Sequence, residues 1–252
     1  MKRSAIALPL TLVASAILLA CTDIPTGSDD ILSFQLNALP SPSVVVGDTL
    51  RDSSGVVTPV TVTAFNYENE VIESVPARFR ALDARVRVDS ITGVVIGDTV
   101  STTPSRILAT FGGFNAFLNI PVTLRPDTIV PANDRDSLGY SLTDTASNLS
   151  NALGVRVLHG LATTDSVVQF YRVSFEIVSP ADTALARLVT DARVRSSVDT
   201  TNSEGIASRR LKIDVTRLTA AQDSVVLRAH VRYRGQHVRG SPMRLVLKLR
   251  PR

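Results

Sequence analysis

Residues 225–249 read VVLRAHVRYRGQHVRGSPMRLVLKL. Val225, Leu227, Ala229, Val231 and Tyr233 fall on one side of a period of two, with Arg228, Arg232 and Arg234 on the other. After Gly235 to Gly240 the pattern returns. Met243, Leu245, Leu247 and Leu249 share one side, and Arg244, Lys248 and Arg250 the other. Strict alternation is the mark of a half-buried strand, because successive side chains leave opposite faces of a sheet. Two such runs around a glycine-bounded turn predict a terminal hairpin with an apolar inner face and a cationic outer one.

The same pattern recurs upstream. Residues 207–215 place Ala207, Leu211, Ile213 and Val215 together, and residues 167–177 place Val167, Tyr171, Val173, Phe175 and Ile177 together. Nearer the start, Val60, Val62 and Ala64 alternate with threonines, and Val86 and Val88 with arginines. Ala116, Leu118, Ile120, Val122 and Leu124 line one face of residues 116–124, while Pro121 falls on the other and predicts an edge strand. Further short runs lie at 43–46, 77–82, 94–96 and 106–111. Gly47-Asp48, Ser54-Gly55, Thr92-Gly93, Gly97-Asp98 and Gly112-Gly113 punctuate them as turns. Strands about every ten residues, without a long helical period, predict an all-β sandwich or barrel.

Residues 127–152 interrupt the pattern. Pro131, Asn133, Asp134, Asp136 and a run rich in Ser, Thr and Asn predict a linker, with a short helix possible over 141–153 from the spacing of Leu142, Leu149 and Leu153. The blocks on either side, 33–126 and 153–252, each have the length of one immunoglobulin-sized sandwich. A single barrel of about 220 residues is the competing arrangement, and the polar gap argues against it.

The first block resembles bacterial immunoglobulin-like domains of the group 2 type. The resemblance is carried by Val44-Val45-Val46-Gly47-Asp48-Thr49, by the run from Val86 to Val95, and by Ile107-Leu108-Ala109-Thr110-Phe111. Many members of that family place a core tryptophan in a middle strand, and here Phe79 takes the corresponding place. The second block resembles the group 1, invasin-type domain, through Val173-Ser174-Phe175-Glu176-Ile177, Thr201-Asn202-Ser203-Glu204-Gly205-Ile206-Ala207 and Val225-Val226-Leu227-Arg228-Ala229. Together these imply two tandem immunoglobulin-like β-sandwiches. They imply little about activity, since function lives in sites rather than folds. Residues 44–50 (VVVGDTL) and 94–100 (VVIGDTV) nearly repeat. A duplicated binding hairpin is one reading; two strand-turn units with the same turn chemistry is the simpler one.

Residues 1–20 read MKRSAIALPLTLVASAILLA: a basic start, then seventeen residues without charge. This is the layout of a secretory signal. A transmembrane anchor is the alternative, but the run is at the short end of the spanning range and Pro9 interrupts it. Leu18-Leu19-Ala20-Cys21 resembles the lipobox of bacterial lipoproteins. That resemblance implies cleavage before Cys21, a diacylglycerol thioether on its sulfur, and usually an acylated amine. Multiple acyl chains give stable anchoring where one does not. An ordinary secretory signal is the alternative. Thr22 after the cysteine favours an outer membrane by analogy with enteric bacteria, and residues 21–32 form the lipidated tether. Cys21 is the only cysteine, so no disulfide can form within the chain.

Signals for catalysis are sparse. There is no G-x-S-x-G elbow, and no phosphate-cradling glycine loop. His159 and His237 fall in expected turns and His230 on an outward strand face, without metal-ligand spacing, so solvated histidines are expected. Asn133-Asp134-Arg135-Asp136 gathers oxygen ligands but fails the calcium-loop pattern, because Leu138 stands where a ligand is needed. No cofactor or metal is expected.

Charge is more informative. Residues 21–126 carry 7 basic and 11 acidic side chains, residues 127–252 carry 18 and 12, and residues 225–252 carry eight cations and no acid. Arg228, Arg232, Arg234, Arg244, Lys248 and Arg250 are therefore candidates for binding an anionic envelope polymer or protein. A merely solvated face is the plainer reading, since 24 arginines against 3 lysines mark a general bias. Nucleic acid is a poor partner, for want of stacking aromatics in an exported chain, and no small-molecule substrate is indicated. The expected role is non-enzymatic: a membrane-anchored cell-envelope module for binding, adhesion or spacing, or a structural accessory subunit of an envelope assembly.

Overall fold

The computed structural model describes residues 31–162, 165–182, 184–219 and 222–252. The expected signal and Cys21 lie outside the described residues. Among the described residues, regular structure is strand apart from two single 3-10 turns, Thr145–Ser147 and Val215–Arg217. No helix there is long and apolar enough to cross a membrane. The chain is all-β, and its buried side chains form two separate cores.

The first core lies between β1 (Ser33–Leu36), β2 (Val44–Val45), β3 (Val62–Phe65), β4 (Val71–Ile72), β5 (Arg78–Ala81), β6 (Val86–Val88), β7 (Val95–Gly97), β8 (Ser101–Phe111) and β9 (Phe114–Thr123). One sheet runs β1-β3-β4 and the other β2-β9-β8-β5, with β6-β7 as a separate ribbon. Phe79 is buried in this core against Gly93. Gly93 has φ +71°, and a Cβ there would lie 2.4 Å from the carbonyl oxygen of Val60. The glycine is required twice over, by its left-handed backbone and by the close approach.

The second sandwich comprises β10 (Thr128–Asn133), β11 (Arg135–Tyr140), β12 (Leu153–His159), β13 (Ser166–Val167), β14 (Arg172–Ser179), β15 (Ala186–Val189), β16 (Val198–Thr200), β17 (Ile206–Ile213), β18 (Ser224–His230), β19 (Arg232–Tyr233), β20 (Gln236–His237) and β21 (Met243–Pro251). Its sheets run β10-β12-β17-β15 and β11-β21-β18-β14-β16. The first order is that of strands A, B, E and D of an immunoglobulin sandwich, and β21-β18-β14 is that of G, F and C. The departure is β16, which follows β15 in sequence yet lies beside β14.

The terminal hairpin forms as the alternation predicts. Val225, Leu227, Ala229, Val231, Leu245, Leu247 and Leu249 are buried, and Tyr233 and Met243 pack against the same core. β18 and β21 pair antiparallel from Ser224↔Lys248 to Ala229↔Met243. The tip is a second small ribbon, β19-β20, turned by Arg234 and Gly235, both at positive φ.

Four expectations need correction. Residues 127–152 are not simply a linker, because they contain β10 and β11. β10 pairs antiparallel with β12, and β11 runs parallel to β21 along six residue pairs. Ile129 and Leu138 enter the second core. The two strands sit at sheet edges, where Pro131 is tolerated because its missing N–H faces no partner strand. The short helix expected within 141–153 is only the 3-10 turn, and Leu142 is exposed. Asn148 ties that loop by bonding both backbone groups of Ser141.

Pro121 lies not in an edge strand but in β9, between β2 and β8. The β8–β9 register slips between Ser101 and Ser105, opposite this proline, so the ladder loses nothing there. Finally, Leu124 packs against the second core rather than the first. The alternation that ran through it continued past the end of the first sandwich.

Candidate functional site

Only residues 124–127 separate β9 from β10. The sandwiches therefore meet closely, and polar groups fill the junction. The Ser43 hydroxyl donates to the Phe170 carbonyl at 2.7 Å, and the Thr123 hydroxyl to the Gln169 carbonyl at 2.5 Å. Gly55 and Gly235 touch backbone to backbone: a Cβ on Gly55 would lie 2.2 Å from the Gly235 nitrogen.

Asp48 is the centre of the junction. Its carboxylate is buried, accepts from Arg51 in its own sandwich, and accepts from Arg234 of the hairpin tip at 2.9 Å. The Thr49 N–H adds a bond at 2.8 Å. Burial opposes ionisation, but the Arg234 and Arg51 guanidiniums and these donors outweigh it. They hold the carboxyl well below the usual carboxylate range. Arg234 reaches Asp48 from a left-handed backbone at φ +49°, a conformation that costs a non-glycine residue on the order of 1 kcal/mol. Asp48 thus clasps the two sandwiches together.

Around this clasp lies a cleft of about 270 Å³. Arg51 and Ser54 contribute from the first sandwich, and Arg172, His230, Arg232 and Tyr233 from the second. Burial raises the pKa of Tyr171, and its phenol donates to the Arg232 carbonyl. Burial, then the charge of Arg232, lowers the pKa of His237. The Arg232 Nε–H donates to His237 Nε2 at 3.3 Å, so His237 Nδ1–H faces the Ser241 hydroxyl at 2.9 Å. This Ser–His pair lacks the features of an activated nucleophile. A cation stands where an orienting carboxylate is needed, and Ser241 already accepts from the Val231 N–H.

The candidate cations divide into two groups. Arg228, Arg244, Lys248 and Arg250 are exposed on the outer face of the β11-β21-β18-β14-β16 sheet. Arg228 stands between Arg244 and Glu176 in register. The face also carries Arg135, level with Val246, and Arg172, on the opposite side of β14 from buried Val173. Glu176 is the acid in that cationic stripe. Arg232 and Arg234 instead sit on the β19-β20 tip, against the first sandwich.

The histidines are not free in solvent. His159 ends β12 beside Asp127 at 2.8 Å, and His237 lies in β20 rather than in a turn. His230 packs against His237 with ring centroids 5.4 Å apart, and its Nε2 lies 3.2 Å from Glu176. Among the described residues no group of three or more His, Cys, Asp or Glu could hold a metal ion. Asn133 and Asp136 are engaged with Ala152 and Asn151.

The near-repeats 44–50 and 94–100 lie side by side, bridged at Val46↔Gly97 and Thr49↔Ile96. They share turn chemistry but not roles. Asp98 pairs with Arg87 within the first sandwich, while Asp48 reaches across to the second. Asp48, Arg51 and Tyr171 carried no site signal in the sequence. The alternation along β14 did put Arg172 on the outer face.

No protein-family model matches the chain, and a search of curated proteins found no match. Solved structures with some likeness include domains 4 and 5 of the S-layer protein SbsC, at 12% identity and a TM-score of 0.31, covering 87% of this chain and 98% of that one. The Yersinia pseudotuberculosis adhesin InvE has 13% identity and a TM-score of 0.31, covering 86% of this chain and 58% of its own. Human protocadherin-24 EC1-2 has 12% identity and a TM-score of 0.28, covering 88% and 100%. Likeness at this level carries no argument about function, and the fold assignment rests on strand order.

Proposed function

We propose that this chain is a non-enzymatic, lipid-anchored cell-envelope protein that docks an anionic envelope polymer or protein on its second sandwich. The observation that supports it is the outer face of the β11-β21-β18-β14-β16 sheet, where Arg135, Arg172, Arg228, Arg244, Lys248 and Arg250 accompany Glu176. Clustered like charges raise the local concentration of an oppositely charged partner and speed its encounter, an effect that salt screens. Guanidinium forks suit carboxylate and phosphate oxygens. The clasp at Asp48 supports a spacer role beside this one, because it holds the two sandwiches as one unit above the tether.

The test is attachment of the protein to isolated envelopes. Reversal of Arg228, Arg244 and Lys248 to Glu abolishes attachment at low salt if the face is the docking surface; unchanged attachment ends that reading. Replacing Cys21 with Ala should release the protein from membranes. Retention after that change removes the lipid anchor from the proposal.

A further inference from the structure

We infer that the cleft at the junction of the sandwiches is a binding site for an oxyanion, a carboxylate or phosphate group, gripped by Arg172 and Arg232. This rests on the proposed docking of a polyanion along the adjoining face, of which the cleft is one end.

The β14–β18 ladder ends where Ser174 pairs with His230, and Arg172 and Arg232 lie two residues beyond that end, Arg172 on β14 and Arg232 on the β19-β20 tip. Both line the cleft. Like charges held in one small cleft repel, and two of the four arginines that line it are paired. Arg51 and Arg234 share Asp48. Arg172 has no side-chain partner among the described residues, and the side-chain contact of Arg232 is with the His237 ring, whose pKa is lowered.

The acids of the cleft are already committed. Asp48 is spent on the clasp, and Asp52 accepts from the backbone N–H groups of Ser54 and Val56. Arg172 and Arg232 therefore line the cleft without an ion pair of their own, and four arginines outnumber two carboxylates there. His230 lines the same cleft, with its Nε2 3.2 Å from the Glu176 carboxylate. The Ser54 and Ser174 side chains add neutral lining. At about 270 Å³ the cleft falls below the span of pockets for drug-sized molecules, so it suits a single charged group or one sugar ring. An oxyanion shared between two guanidinium forks converts their repulsion into charge-assisted hydrogen bonds.

The experiment is calorimetric titration of the full chain, purified in detergent, with inorganic phosphate and with galacturonate, and with galactose as the uncharged control. Saturable binding of one or both anions, and none of galactose, is expected. R172Q and R232Q should each weaken it about tenfold, the equivalent of about 1.4 kcal/mol, with an unchanged melting temperature. R187Q, exposed on β15 of the other sheet, should leave it unchanged. Binding of phosphate alone identifies a phosphate-bearing ligand, and binding of galacturonate alone an acidic sugar. Absence of saturation with either anion, or binding indifferent to both arginine substitutions, overturns the inference. Anion binding by a chain whose face reversal leaves envelope attachment intact would sink the docking reading and keep the cleft. Attachment lost on face reversal, with no anion bound, would do the opposite.

Discussion

Both sandwiches split their first strand between two sheets, and they do it unequally. In the first, β1 pairs with β3 and the two-residue β2 joins β9 in parallel. In the second, β10 pairs with β12 and the six-residue β11 joins β21 in parallel. The cores differ in the same direction: among the described residues, 11 buried hydrophobic side chains form the first cluster and 22 the second. A small core supplies little margin over the conformational entropy lost on folding. The first sandwich is therefore the weaker partner, and the Asp48 clasp lends it the second one's stability.

The largest expected effect is in the cores. Leu227→Ala should cost about 2–5 kcal/mol, and Ile120→Ala a similar amount. In denaturant, Ile120→Ala should separate an early transition from a late one, while Leu227→Ala should bring the late one forward. Equal effects on both transitions from either substitution would show that the sandwiches unfold as one unit and would break the comparison.

Next is the split strand. Leu138→Ala should cost the second sandwich about 2–3 kcal/mol, as a buried leucine of that core. A true linker residue would cost nothing, so an unchanged midpoint would return 127–152 to the status of a connector.

Smaller again is the clasp. Asp48→Ala leaves Arg51 and Arg234 facing a vacated pocket. Both are partly exposed and can turn to water, so about 1–3 kcal/mol is expected, confined to the first transition. Small-angle scattering should show a wider range of shapes if the clasp sets the angle between sandwiches.

The smallest is a pH effect with a defined sign. The folded-state pKa of Asp48 lies below its unfolded value, so its contribution is complete above the unfolded pKa of about 3.9. It fades as the pH falls below that and is lost as the pH passes through the folded pKa. Burial works against this, and Arg234 and Arg51, with Thr49 N–H and Tyr233 also facing the carboxylate, carry it. The first transition should drop between pH 5 and 2 in the native chain by more than in Asp48→Asn. Parallel curves would remove Asp48 as the clasp's titrating group.

What could be read in advance follows from which strands have two informative faces. The 225–249 hairpin alternates cleanly because one face is core and the other water, so its buried residues and outward Arg228, Arg244, Lys248 and Arg250 were legible. β10 and β11 lack that contrast. Only Thr128, Ile129 and Leu138 along them are buried, and Pro131, Asn133 and Gly139 read as breakers. Edge strands are paired on one side by a partner far off in sequence, so no local period announces them.

The sequence by itself determined the class of this molecule: short alternating strands, turn glycines such as Gly93, and a basic end that had to face outward. These are local consequences of a two-residue period and of backbone angles only glycine adopts freely. Tertiary structure alone decided which of two near-identical turns carries the clasp. Asp48 and Asp98 occupy equivalent places in their repeats, yet one meets Arg87 nearby and the other meets Arg234, 186 residues away. A carboxylate's role is set by the charges that folding brings within a few ångströms, and that distance is not a property of its neighbours in the chain.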